Sequence, residues 1–236
     1  MGKQTTIKLY DGPSLIDGKR IIVLMTGLGR PSKNTKTGDM LQTWILRYDI
    51  APHEAIKTGD DSSVCGGCHL RPLIFKKGKV SDKPCYVKVF QAPRATWKAN
   101  RDLPVTGPEE ARTLIGERIV RRGSYGDPGA VPMHVWNNIP KTRKDTGYSH
   151  RWDDMDPALS SIVMASVHSL DERRQAKAKG FRTFRTLDHT GQLVAGEILC
   201  PASKEAGQRT TCQSCGLCTG KINGQDNRKD IAIVAH

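Results

Sequence analysis

The chain has 236 residues, which is long enough to bury a core without help from a metal ion. Its 37 lysines and arginines against 24 acidic residues leave a net charge of +13, which favours polyanionic partners such as nucleic acids, nucleotides or phosphorylated substrates. No window approaches the roughly 18 apolar residues of a membrane span, and the N-terminus lacks the apolar core of a signal peptide. We therefore expect a soluble protein of the cytoplasm, with no membrane partner.

Residues 1–60 are the first predicted unit, a β-rich N-terminal segment. Apolar runs at residues 19–25 (KRIIVLM) and 41–47 (LQTWILR) predict two strands. The intervening residues, 27–38, are rich in glycine, proline, serine and lysine, which is typical of a surface loop. This loop contains neither of the common glycine motifs that cradle phosphate groups.

Residues 61–199 are the second predicted unit, an α/β body that carries the first cysteine group. Strands are predicted at residues 86–90, 118–122, 162–167, 181–186 and 197–199, and helices at residues 108–117, 133–138 and 170–179. Strands that alternate with helices indicate βαβ units. We therefore predict an α/β fold with a mainly parallel, barrel-like sheet. The third unit, residues 200–236, is predicted to be a cysteine-rich metal-binding tail that packs on the body and ends in a short apolar strand.

The tail contains Cys200, followed by proline, and then Cys212, Cys215 and Cys218 in a C-x2-C-x2-C run. This run is the local pattern of a [4Fe–4S] ligand loop, and Cys200 supplies a candidate fourth thiolate. Zinc also binds four thiolates, although its usual signature is two separated C-x2-C pairs. In a reducing compartment, clustered cysteines indicate metal ligands in preference to disulfides. The tail therefore predicts one metal centre, a [4Fe–4S] cluster with zinc as the alternative.

A second cysteine group consists of Cys65, Cys68 and Cys85, with His69 beside the second cysteine. These residues are suited to a zinc site with three cysteines and a histidine. They are equally suited to a cluster that leaves one iron open to substrate. A C-x2-C redox pair is the third alternative, because this spacing lowers a thiol pKa. We expect a second metal site here, and the sequence leaves open whether His69 is a ligand.

Three further candidates follow predicted strands, where parallel α/β folds gather their active sites. Asp127, His150 and His168 are side chains that transfer protons or orient a substrate, and we predict them as catalytic residues. Each also has an ordinary structural explanation, as a turn residue or as a polar group at a strand end. Their shared position at one sheet edge is what favours the catalytic interpretation.

The order of these motifs resembles the phage-encoded family known as gene product 88, which is uncharacterised. The resemblance covers about residues 60–236 and depends most on Cys200-Pro201 and the closing cysteine run. It implies a viral or prophage protein acting in the host cytoplasm. The layout is also similar to radical-SAM partial barrels, but those enzymes use C-x3-C-x2-C spacing, which the first cysteine group lacks. S-adenosylmethionine is therefore only a subsidiary cofactor hypothesis.

These observations lead to two hypotheses from different classes. In the first, the protein is an iron–sulfur enzyme that modifies a nucleotide or nucleic acid by redox or radical-type chemistry. In the second, it is a zinc-stabilised module that binds DNA or a host protein without catalysis.

Overall fold

One mixed sheet runs through the part of the chain that the structure, a computed structural model, describes: residues 5–32, 34–71, 85–188, 191–222 and 226–234. Within these residues the sheet has nine strands in the order β1-β2-β3-β4-β5-β6-β7-β9-β8. The strands are β1 (Thr6–Pro13), β2 (Arg20–Thr26), β3 (Leu41–Arg47), β4 (Val120–Tyr125), β5 (Thr146–Ser149), β6 (Met164–Val167), β7 (Thr183–Leu187), β8 (Glu197–Leu199) and β9 (Asp230–Val234).

Short helices connect or cover these strands. They are α1 (Pro52–Thr58), α2 (Ser62–Cys65), α3 (Ala92–Asn100), α4 (Pro108–Ile115), α5 (Met133–Asn137), α6 (Leu170–Ala178) and α7 (Cys212–Cys215), with 3-10 turns at Pro128–Ala130 and Pro157–Ser161. No helix among the described residues is both long and apolar enough to cross a lipid bilayer.

The first three strands form an antiparallel meander, and every later strand pairs in parallel with its neighbours. The prediction of an α/β fold with a mainly parallel sheet is thus confirmed. Strands β1 and β8 are the two edges of the described sheet, so the sheet is open and the predicted barrel-like closure is not confirmed. All three sequence segments contribute strands to this one sheet.

The meander is deeply buried at its central strand, β2. Five consecutive residues of β2, Ile21 to Met25, are fully buried, which is the pattern of a strand covered on both faces. Strands β1 and β3 pair with the two edges of β2, and apolar residues of all three strands belong to the main core together with the buried Trp136 of α5.

The predicted strand at residues 86–90 is wrong. The structure places no strand there; instead the backbone N–H of Gln91 donates to the carbonyl of Lys88, and α3 begins at Ala92. The side chains of this segment alternate between the core and solvent although its backbone is not part of the sheet. Val87 and Val89 pack on the core, while Tyr86 and Phe90 are exposed. The predicted strand at residues 118–122 is real but lies two residues later, as β4.

The tail covers one face of the parallel half of the sheet. Cys200, Ala202 and Cys218 are buried against Met164 of β6 and Ile231 of β9, and together they form a second, smaller apolar cluster. Gly220 makes the close approach possible, because a Cβ at this position would overlap the backbone of residues 160–162. These residues of the tail therefore pack against the sheet.

Candidate metal centres and active-site edge

Strands β4, β5 and β6 are adjacent and parallel, so the residues that follow them meet at one edge of the sheet. Asp127 follows β4, His150 follows β5 and His168 follows β6. The sequence prediction that the three residues share an edge is thus confirmed, whereas their catalytic role remains a prediction. We call this edge, with the cysteine loop that lies over it, the active-site edge.

Asp127 is buried and its carboxylate is fully occupied by hydrogen bonds. Oδ1 accepts from the Ser149 hydroxyl at 2.6 Å and from the Gly129 N–H at 2.8 Å, and Oδ2 accepts from the His150 N–H at 2.7 Å. Burial raises the pKa of this carboxyl, although these hydrogen bonds oppose the shift. The carboxylate therefore fixes the backbone on which the His150 ring is mounted.

Glycine is required immediately before Asp127. Gly126 has a φ of 81°, a conformation that residues with a Cβ rarely adopt. A Cβ at this position would also lie 2.6 Å from the Cβ of Ile45 and 2.7 Å from its carbonyl oxygen. The resulting turn brings the N–H of Asp127 within 2.6 Å of the carbonyl of Val64, which ties the active-site edge to the helix that ends in Cys65.

The imidazoles of His69, His150 and His168 converge beside Asp127. One ligand nitrogen from each ring lies within 4.8 Å of the other two, and this is the one such group of three or more metal-binding side chains among the described residues. Nε2 of His168 lies 3.3 Å from Nδ1 of His150, and these two rings are nearly parallel and stacked. His69 lies against both rings and is the exposed member of the group.

Two neighbouring side chains orient His168. Thr186 Oγ1 is hydrogen-bonded to Nδ1 of His168, and the backbone N–H of His168 donates to Glu172 Oε2 at 2.6 Å. Ser169 is the N-cap of α6 and accepts from the N–H of Glu172, so the glutamate position is set by the first turn of the helix. Burial lowers the pKa of His150 to about 4 and of His168 to about 3, which leaves both rings neutral at pH 7.

The cysteines of the first group, Cys65, Cys68 and Cys85, lie close enough to influence one another's ionisation. Burial, then the charges of Asp61, Cys68 and Cys85, raise the pKa of Cys65 well above its usual value. Burial raises the pKa of Cys68 to about 11, and the charges of Asp127 and Cys85 add to the shift. The structure therefore brings all three thiols together, and it brings Cys68 close to Asp127.

Backbone and side-chain contacts shape this cysteine loop. The N–H groups of Leu70 and Arg71 are hydrogen-bonded to the sulfur of Cys68, which is the arrangement that stabilises a thiolate. The Arg71 guanidinium binds both carboxylate oxygens of buried Asp61, at 2.9 and 2.7 Å, and also donates to the Gly66 carbonyl. A buried bidentate pair of this kind holds the loop in one conformation.

Tyr125, the last residue of β4, has a buried hydroxyl for which the described residues provide no hydrogen-bond partner. Burial and the charges of Cys65, Asp61 and Cys85 raise the pKa of this phenol well above its usual value. An orphaned hydroxyl in native protein needs an explanation, because it carries an uncompensated desolvation cost. Here the hydroxyl adjoins the first cysteine group, where a bound group would supply its partner.

A cavity of about 380 Å³ adjoins the cysteine loop and the histidines, and it is large enough for a small ligand. Gly66 and Gly67 of the Cys65–Cys68 turn line it on one side, and His150 and Arg151 on the other. Arg151 is held there by Asp154 and by the Gly129 carbonyl.

The four tail cysteines also converge. Burial raises the pKa of Cys218 to about 12, and the charges of Cys200, Cys212 and Cys215 add to the shift. Burial raises the pKa of Cys200 as well, with contributions from Cys212 and Cys215. The four thiols therefore lie near one another, and two of them, Cys212 and Cys215, belong to the short helix α7, which Thr211 caps through its side chain.

Polar groups of the body and tail contact these tail sulfurs. The Tyr148 side chain of β5 is hydrogen-bonded to Cys218, and the N–H of Ala202 is hydrogen-bonded to the sulfur of Cys200. Arg121 of β4 lies near Cys212 and Cys218, and its positive charge opposes the burial-driven rise in the pKa of Cys212. Hydrogen bonds and positive charge near thiolates are the contacts that tune an iron–sulfur centre.

The spacing of the sulfurs bears on the metal. Four thiolates on one zinc ion at 2.3 Å lie about 3.8 Å apart in tetrahedral geometry. Each thiolate of a [4Fe–4S] cluster binds a different iron, so its sulfurs are farther apart. A zinc site and a cluster therefore require different sulfur spacings.

Sequence reasoning missed several residues of these sites. It left His69 as a possible ligand of the first cysteine group, whereas the structure places it against His150 and His168. It also did not identify Tyr125, Tyr148 or Thr186. The position of Tyr125 directly before Gly126-Asp127, at the end of a strand, was the available signal. Thr186 contacts His168 through the pairing of β7 with β6, which no local sequence pattern indicates.

A strip of exposed aromatic and basic side chains extends from Cys85 into α3. Tyr86 is 68% exposed and Phe90 is 60% exposed, which is unusual for such large apolar groups. Exposed basic residues interleave with them: Lys88, Arg94 and Lys98. The Tyr86 hydroxyl is also hydrogen-bonded to Arg121, so the strip lies between the two cysteine groups. We call it the aromatic–basic strip.

Comparison of the chain with protein-family models, with curated protein sequences and with solved structures found no match in any of the three.

Proposed function

We propose that the protein is an iron–sulfur enzyme that acts on a nucleotide or nucleic acid, with a closed cluster in its tail and an open one at the active-site edge. The observation that carries the proposal is the grouping of the seven cysteines into two sets whose members lie close enough together for their charges to interact, four in the tail and three beside Asp127. The resemblance to the phage gene product 88 family adds the further proposal that it acts in a bacterial host.

The two groups differ in the number of ligands they offer. Cys200, Cys212, Cys215 and Cys218 provide four thiolates, which is enough to occupy every iron of a [4Fe–4S] cluster. Cys65, Cys68 and Cys85 provide three, and His69 faces the other histidines instead of completing the set. One iron of a cluster in this group would therefore have no protein ligand. When bound, a cluster with such an iron supplies electron transfer and a Lewis-acid position for substrate.

The residues around the first group fit this open site. The unpartnered Tyr125 hydroxyl is available to donate to a cluster sulfur or to substrate. Asp127 fixes the backbone of His150 through its hydrogen bond to that N–H, and the cavity beside His150 admits a small ligand. The imidazoles of His150 and His168 are neutral at pH 7, so they are available to orient a substrate by hydrogen bonding.

The substrate class is inferred from the aromatic–basic strip and the net charge of +13. Bases stack on exposed aromatic rings irrespective of sequence, and neighbouring lysines and arginines contact the phosphates. Tyr86 immediately follows the ligand Cys85, so a base stacked on this ring would lie beside the first group. A nucleotide or single-stranded nucleic acid is therefore the substrate that this surface fits best.

Fluorescence anisotropy with labelled single-stranded DNA and RNA oligonucleotides tests the substrate class. Removing a stacking ring by Phe90→Ala is expected to weaken binding by about 1–3 kcal/mol. Lys98→Ala is expected to lower the salt slope by about 0.7, the value for one phosphate contact with a single strand. Leu193→Ala is the matched control, because Leu193 is a large apolar residue exposed beside β8, at the opposite edge strand. Equal binding by Phe90→Ala and by the wild type would remove the strip as a substrate site.

Electron paramagnetic resonance of the dithionite-reduced protein tests the open cluster. Adding a nucleotide or oligonucleotide is expected to alter the signal of the first cluster in the wild type. The altered signal should be absent from Cys68→Ser, which retains the tail cluster. S-adenosylmethionine is a separate addition, and a spectral change with it alone would favour the subsidiary cofactor hypothesis. A protein that binds zinc and gives no signal at all would favour the non-catalytic binding module.

A further inference from the structure

We propose that His69, His150 and His168 form a mononuclear site for a divalent first-row transition metal ion, separate from both cysteine groups. Three imidazole nitrogens that converge on one point are a known ligand set for catalytic metal ions. The inference stands on the geometry of the histidines and does not depend on which metal the cysteines bind.

The nitrogen spacing supports a shared ion. Ligand nitrogens on a tetrahedral ion at 2.0–2.1 Å lie about 3.4 Å apart. The Nε2 atom of His168 and the Nδ1 atom of His150 are 3.3 Å apart, and the nitrogen from His69 completes a group within 4.8 Å. An ion bound between them would be held by side chains from three different parts of the chain.

His168 has the outer contact that metal-binding histidines usually make. With the Nδ1–H of His168 donating to Thr186 Oγ1, the Nε2 lone pair of that ring is free to face His150 and an ion. Asp127 accepts from the backbone N–H of His150 and Glu172 from that of His168, so the two carboxylates fix the backbone that carries these rings. The charge of Glu172 also favours a cation beside the His69 ring.

The site would be open to solvent and substrate. Three protein ligands leave at least one coordination position free, which distinguishes a catalytic metal site from a closed structural one. His69 is exposed, and the cavity of about 380 Å³ reaches His150 from the other side. The ion would bind water or a substrate oxygen, and phosphate oxygens are among the ligands that could reach it.

Cobalt(II) is a suitable probe, because its visible spectrum distinguishes nitrogen from thiolate ligands. We expect full-length protein, purified without oxygen and with its cysteine sites filled, to bind one equivalent of Co²⁺ with a spectrum that lacks thiolate charge-transfer bands. His168→Gln and His150→Ala should each weaken binding by more than about tenfold, and Thr186→Val, which removes an outer contact, by about 10- to 100-fold. His134→Ala is the matched control, since His134 is exposed and lies on α5.

Two outcomes would overturn the site. One is Co²⁺ affinity that is absent in the wild type or unchanged in both His168→Gln and Thr186→Val. The other is a thiolate spectrum that disappears in Cys68→Ser and persists in His168→Gln, which would assign the ion to the cysteines. Thermal unfolding of each variant separates loss of ligand from loss of fold. Because Cys68→Ser is expected to keep the Co²⁺ site, failure of the histidine site and failure of the cluster proposal give different results.

Discussion

The two cysteine groups sit in contrasting surroundings, and the contrast suggests different tasks. The tail group has four thiols, packs against an apolar sheet face and buries Cys200 and Cys218. The first group has three thiols, adjoins a cavity and an unpartnered tyrosine, and lies beside the histidines at the active-site edge. A site whose ligands are all protein groups contributes mainly to stability, whereas a site with a free position can bind substrate. We therefore propose a structural role for a metal centre in the tail and a reactive role for one at the first group.

The largest effect on stability is expected from Cys215→Ser. The change removes one of four ligands, so the tail should lose its centre and residues 200–218 should detach from β6 and β9. A site kept saturated at a hundred times its dissociation constant contributes about 2.7 kcal/mol to the free energy of unfolding. For a chain of this size that corresponds to a fall in Tm of about 5–11 °C. Calorimetry with iron analysis of the same sample measures both, and unchanged iron content would refute the tail assignment.

Cys68→Ser should affect function more than stability. We expect it to lose the iron of the first group and to abolish activity, while Tm falls by less than about 4 °C, equivalent to about 1 kcal/mol. The Arg71–Asp61 pair and the Asp127 hydrogen bonds would still hold the loop and the edge. Iron and Tm are measured beside Cys215→Ser as the matched variant. A larger fall in Tm for Cys68→Ser than for Cys215→Ser would reverse the assigned roles.

Tyr125→Phe tests whether the unpartnered hydroxyl of Tyr125 forms a hydrogen bond to a bound group. In metal-free protein the change should be neutral or stabilising by up to about 1 kcal/mol, because it removes a buried polar group that lacks a partner. In loaded protein the same change should be destabilising, since the hydroxyl would then have lost a hydrogen bond. Chemical denaturation of both forms measures the sign. The same sign in both forms would mean that the bound group does not contact Tyr125.

The smallest expected effect is a difference in alkylation rate between one thiol of each group in metal-free protein. Below pH 11 both thiols are mainly protonated, because burial raises the pKa of Cys68 to about 11 and of Cys218 to about 12. Because its pKa is lower, Cys68 has about ten times more thiolate than Cys218 at the same pH. A thiolate of lower pKa is also less nucleophilic, which reduces this tenfold advantage in rate by about a factor of three. Iodoacetamide at pH 8 should therefore alkylate Cys68 about threefold faster than Cys218, by peptide mass spectrometry. Faster alkylation of Cys218 would show that the tail is the more open site.

Local patterns predicted the elements that depend on local chemistry. The continuous apolar run of β2, the acidic first turn of α4 and the glycine after α6 each indicate their element from neighbouring residues alone. Strand β1 escaped prediction because its second half, Asp11-Gly12-Pro13, has the composition of a turn, yet these residues pair with β2. Whether the sheet closes depends on pairing between distant edge strands, for which the sequence carries no short-range signal.

The candidate site was likewise predictable only where local sequence patterns indicate it. Motif spacing identified the seven cysteines, and the rule for strand ends identified Asp127, His150 and His168. The position of His69 was not predictable. Its sequence neighbour Cys68 suggested that it belongs to the first cysteine group, whereas the fold places it against the rings of His150 and His168. Tyr125 acquires its significance only from burial without a hydrogen-bond partner, which no sequence pattern records.

The iron, zinc and acid-labile sulfide bound per chain in wild-type protein purified without oxygen decide whether the cysteines hold iron–sulfur clusters. We predict iron and sulfide in equal amounts, about four of each for every [4Fe–4S] centre, and little zinc in the cysteine groups. Cys68→Ser and Cys215→Ser should each lose one centre. Zinc at one or two ions per chain that is lost from the cysteine variants, with no sulfide, would instead establish the cysteines as zinc ligands.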